Sequence, residues 1–170
     1  MGVCNASRAP SWRRAVLAVA ALLPLSIAWR SGSARAATFV VFESQTGDYI
    51  GGGQHLTLAI VSASPLQTNG VQVSAGGYSY RFTAPGNQPL SVGAYEGATR
   101  WPFNDPGEPG LDVSGNGRGC NQLTGRFIVH EIVRAAGSIS RLAVDFEQHC
   151  EGGLPALFGF IRFNSDVPIL

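Results

Sequence analysis

The chain contains no lysine, and no acidic residue before Glu43, so all twelve of its basic residues are arginines and five of them (Arg8, Arg13, Arg14, Arg30, Arg35) stand in an acid-free N-terminal stretch. No apolar run reaches the roughly twenty residues that a membrane-spanning helix needs, which argues against a membrane-embedded chain. The seven arginines beyond residue 36 are scattered rather than clustered, so the basic footprint of a nucleic-acid binder is missing. There is no His-Glu-x-x-His, no Gly-x-Ser-x-Gly, and no Lys-Ser/Thr after Gly51-Gly52-Gly53. Metalloprotease, serine-hydrolase and phosphate-loop signatures are therefore absent. Beyond residue 37 no window carries a long 3.6-residue apolar period, which excludes a helical body.

What the N-terminus does have is an export pattern. Arg13-Arg14 is followed by an apolar core, residues 15–28, and then by Ala34-Arg35-Ala36, the small-x-small triplet that signal peptidase cleaves. The reading is a secretory signal peptide over residues 1–36 and one domain over residues 37–170, secreted or periplasmic. Trp12 before the arginine pair and the lack of lysine favour the ordinary secretory route over twin-arginine export. Without the leader, seven arginines face eleven acids, a net charge of about −4.

Three cysteines occur, and Cys4 leaves with the leader. Cys120 and Cys150 remain, and in an oxidising compartment such a pair is expected to bond. A reactive thiol beside Arg118, or half of a metal site, is the competing reading.

Glycine punctuates short runs of Val, Ile, Phe, Thr and Tyr, which suit pleated strands. Strands are predicted over residues 38–43, 54–61, 71–75, 78–83, 88–95, 125–134, 138–150 and 156–164, with Gly76-Gly77 as a tight hairpin turn. Residues 101–119, rich in Gly and Pro, read as a long loop. The predicted architecture is all-β: an antiparallel β-sandwich, jelly-roll or immunoglobulin-like, of about eight strands with one disulfide.

Candidate chemistry is thin. Asp145, Glu147 and His149 alternate along one strand and leave the same face at intervals of roughly 6–7 Å, close enough to flank a bond or, with His130 or His55, to hold zinc. The ordinary explanation is the polar face of a half-buried strand. Asp112, Ser114 and Asn116 open like a calcium loop, but position seven is Arg118 and position twelve is Leu123. Tyr49 and Trp101 are candidates for stacking on sugar rings, against simple aromatic packing.

The strings Gly47-Asp48-Tyr49-Ile50-Gly51-Gly52-Gly53, Gly115-Asn116-Gly117-Arg118-Gly119-Cys120-Asn121-Gln122-Leu123-Thr124-Gly125-Arg126-Phe127 and Phe146-Glu147-Gln148-His149-Cys150-Glu151-Gly152-Gly153-Leu154-Pro155-Ala156-Leu157 resemble a β-domain module of secreted bacterial proteins, found alone or appended to larger chains. The resemblance implies an extracellular β-domain with paired cysteines and transfers no catalytic residue. The expectation is a non-catalytic domain, without an obligate cofactor, that binds a glycan or another extracellular partner. The alternative is a small glycan-active or metal-assisted hydrolase built on Asp145, Glu147 and His149. A purely structural surface domain is the third class.

Overall fold

The computed structural model describes Met1 and residues 36–169; the predicted leader and Cys4 lie outside the described residues. Ten strands follow one another: β1 (Ala37–Ser44), β2 (His55–Leu58), β3 (Ile60–Leu66), β4 (Gly70–Ala75), β5 (Tyr78–Thr83), β6 (Gly93–Arg100), β7 (Gly110–Gly115), β8 (Leu123–Ala135), β9 (Ser138–Cys150) and β10 (Ala156–Ser165). Among the described residues the only helical element is a single 3-10 turn at Pro85–Asn87.

All ten strands hydrogen-bond into one sheet in the order β2-β1-β10-β9-β8-β6-β7-β5-β4-β3. Pairing is antiparallel except for a short parallel contact in which Thr99 and Arg100 of β6 meet Gly110 and Leu111 of β7. The sheet is strongly curled. β5 stands four places from β9, which on a flat sheet would separate them by about 19 Å. Yet the rings of Tyr80 and Phe82 lie 5.9 and 5.8 Å from that of Phe146, and Phe42 of β1 meets Tyr78 at 4.8 Å. Strand alternation explains which residues meet there: Leu142, Val144 and Phe146 of β9 point inward and are buried, as are Leu157 and Ile161 of β10.

This arrangement corrects the eight-strand sandwich. The two halves do enclose one core, but hydrogen bonds run continuously between them, so they form one curled half-barrel sheet. The strand expected over residues 54–61 breaks at Ala59: β2 pairs with β1 at one edge and β3 with β4 at the other. The expected loop over residues 101–119 contains β7, which pairs along its whole length with β5. Flanking Gly and Pro hid the alternation of Leu111 and Val113 with Asp112 and Ser114.

Where β6 parts from β7, the main chain of Val113 has β5 on one side and no strand on the other. Gln148, fully buried on β9, fills the gap: Val113 N donates to its Oε1 at 2.7 Å and its Nε2 donates to Val113 O at 3.0 Å. Gly125 allows the close approach at this seam, since a Cβ there would fall 2.3 Å from the Glu147 carbonyl oxygen. Beside it Cys120 and Cys150 are bonded, with Cα atoms 5.2 Å apart, as the cysteine count leads one to expect. Closing a loop of 30 residues is worth roughly 3–4 kcal/mol in the chain-entropy account.

Candidate functional site

On β9 the side chains of Asp145, Glu147 and His149 are each about one quarter exposed. Glu147 Oε2 accepts from Arg126 Nε at 2.8 Å and its Oε1 lies 3.0 Å from His149 Nε2. The His149 hydrogen bond, reinforced by Arg126 and opposed by partial burial, holds the Glu147 carboxyl below its ordinary value. Asp145 Oδ2 lies 2.9 Å from His130 Nε2, and Oδ1 accepts from Arg162 Nη1 at 2.6 Å. Each acid is thus held between two nitrogen partners. A glycosidase acid needs a carboxyl kept protonated near neutrality, the opposite of the lowered Glu147. Beside these groups Ile128, Phe158 and Phe160 floor a shallow depression of about 180 Å³. Among the described residues no three His, Cys, Asp or Glu side chains converge as metal ligands.

Arg162 was not singled out from the sequence, although its place opposite Ile161 on a strand with two apolar faces was the available signal. It is 1 % exposed. Its Nε and Nη2 donate to the carbonyls of Val167 and Pro168, both at 2.8 Å, and so fasten the C-terminal segment to the sheet.

The residues read as a calcium loop begin within β7. Asp112 Oδ2 accepts from Arg81 Nη1 at 2.6 Å and from Ser114 Oγ at 2.9 Å. Asn116 lies beyond the strand in the turn. Arg81 thereby supplies the positive charge beside this carboxylate.

Tyr49 and Trp101 belong to opposite ends of β7. Tyr49, 53 % exposed, lies under the guanidinium of Arg118 at 5.9 Å, and Arg118 in turn bridges to Gly115 at the far end of that strand. Trp101 N donates to Leu111 O at the near end. Arg81 covers one face of the indole at 5.3 Å and is itself fixed by Asp112 and by Gln72.

Trp101 also lines a cavity of about 180 Å³, together with Gln67, Asn69, Thr83, Ala84, Asn87, Pro102, Asn104 and Pro106. No wall residue is ionisable. Thr83 ends β5, and three connections supply the others: the β3–β4 turn, the β5–β6 connection and the β6–β7 loop. They are braced together, with Asn69 Nδ2 donating to Ala84 O at 3.0 Å, Ala84 N to Asn69 O at 2.9 Å, and Gly86 N to Pro106 O at 2.6 Å. Asn69 Oδ1 is buried and has no hydrogen-bond partner. Gln67 and Asn87 hold left-handed backbones, with φ of 52° and 56°, a conformation that residues with a side chain adopt at a cost and that concentrates at functional sites. The sequence marked Trp101 alone; the amides sit in separate turns, each unremarkable by itself. No family model, curated protein or solved structure matches the chain, so the chemistry of the site rests on its geometry.

Proposed function

We propose that this is a secreted, non-catalytic β-domain that binds a glycan in the cavity beside Trp101. The observation that carries the reading is a cavity whose wall combines Trp101 with the neutral amides of Gln67, Asn69, Asn87 and Asn104. Stacking area from the indole and directional hydrogen bonds from amides are what a sugar ring offers partners for. The disulfide is compatible with export, and no helix among the described residues is long and apolar enough to cross a membrane.

The rival hydrolase has one point in its favour, the approach of Arg126 and His130 to the carboxylates beside an apolar depression. Against it stands the lowered Glu147, which is a poor proton donor. A glycan array, followed by titration of its hits, tests the proposal. Trp101→Ala is expected to weaken binding by about 30-fold, roughly 2 kcal/mol. Tyr49→Ala, at the other end of β7, is expected to leave binding unchanged. An array without hits, or hits indifferent to Trp101→Ala, removes the site.

A further inference from the structure

Resting on the glycan reading, we infer that the Trp101 cavity selects one uncharged pyranose ring, taken end-on from a chain terminus, and rejects acidic sugars. Three features of the wall carry this. The first is polarity without charge. Asn69 Nδ2 is engaged by Ala84 O. Asn104 Nδ2 donates to Glu108 O at 3.0 Å and to Asp105 O at 3.3 Å, so that its oxygen is the uncommitted end. Gln67 and Asn87 add amides and Thr83 a hydroxyl, so the wall offers donors as well as acceptors and none of them is charged. Sugar hydroxyls, which both donate and accept, match such a wall.

The second feature is the absence of a cation. Among the described residues no arginine or histidine lines the cavity, and the nearby guanidinium of Arg81 is paired with Asp112 at 2.6 Å. An anion entering would lose its hydration without a counter-charge, a large penalty. The third is size. A cavity of roughly 150 Å³ accommodates one benzene molecule, so about 180 Å³ admits a single six-membered ring and leaves the remainder of a chain in solvent. The braced turns hold this shape before the ligand arrives, which limits the ordering cost of binding.

Isothermal titration of the full chain against three probe series tests the inference: methyl glycosides of glucose, galactose, mannose and N-acetylglucosamine; the corresponding uronates and 6-phosphates; and oligosaccharides of two to six units ending in the preferred sugar. We expect at least one neutral methyl glycoside to bind, its acidic counterpart to bind at least about tenfold more weakly, and the hexasaccharide to gain no more than about threefold over the single ring. Gln67→Ala should weaken the neutral ligand about tenfold, the equivalent of one buried hydrogen bond. The wild-type ligand series decides the matter even where that variant folds poorly. Equal or tighter binding of the acidic sugars, or a hexasaccharide gain above tenfold, overturns the selectivity while Trp101-dependent binding leaves the glycan reading standing. No binding in any series overturns both.

Discussion

Two buried side chains respond to substitution in opposite directions, because one is satisfied and the other is not. Arg162 has every donor group engaged, and Asp145 supplies its countercharge at 2.6 Å. Removing the carboxylate strands a buried cation. Asp145→Ala is expected to cost about 3 kcal/mol of unfolding free energy in urea titration. Tyr80 lies at the other extreme. Its ring is fully buried and packs against Phe146, its hydroxyl has no hydrogen-bond partner, and burial, with a smaller push from Tyr78, drives the phenol well above its ordinary value. Tyr80→Phe is expected to be neutral or to stabilise by up to about 1 kcal/mol in the same measurement. Glu147 adds a pH dependence whose sign follows from its lowered value. Its contribution is complete above the ordinary carboxyl value of 4.5 and is lost as pH falls through the depressed folded value. Glu147→Gln should therefore reduce the acid-side loss of stability, measured as the change in unfolding midpoint between neutral pH and pH 3. Asp145, Glu147 and His149 were legible in the sequence as one face of a strand. Their separate engagement by Arg126, His130 and Arg162 was not, since those partners lie on neighbouring strands set by register.

At the scale of elements, the sheet depends on a side chain acting as a piece of strand. Gln148 supplies Val113 with the donor and acceptor that β6 would have given had it continued beside β7. Gln148→Leu keeps the volume and leaves a buried N–H and C=O unpaired, at about 1–3 kcal/mol for each group. We expect a total loss of about 2–4 kcal/mol, together with faster hydrogen exchange confined to Val113 and its neighbours. The strong strands were legible because period-two alternation is local: β8, β9 and β10 lie close to where Leu142, Val144, Phe146 and Ile161 put them. So was the β4–β5 hairpin, whose Gly76 and Gly77 both take positive φ. β7 was not legible, because six residues between Gly110 and Gly115 carry too little pattern to outweigh their glycine and proline flanks. Its membership is decided by pairing with β5. The same holds for the division of residues 55–66 between β2 and β3, which no local signal near Ala59 announces.

On the scale of the whole molecule, curling one sheet makes two things at once. It closes a core in which β5 meets β9 and β1, and it gathers the turns around the Gly110 end of β7 into a single walled cavity. The exchange between end loops and sheet is tied by the Cys120–Cys150 bond near the opposite, Tyr49-bearing end. Reduction is expected to lower stability by roughly 3–4 kcal/mol while leaving glycan affinity at the Trp101 end within about twofold, which thermal unfolding and titration in dithiothreitol would check. The sequence by itself determined the all-β class, the cysteine pair, the two-faced alternation of the long strands and the aromatic worth watching in the longest connection, because composition and period-two patterning act within a few residues. Only the tertiary structure decided that the halves are one continuous sheet, that Tyr49 and Trp101 part company, and that Asn69, Thr83 and Asn104 line one cavity with Trp101. Those outcomes depend on strand order and curl, and contacts between residues tens of positions apart leave no mark on any one stretch of chain.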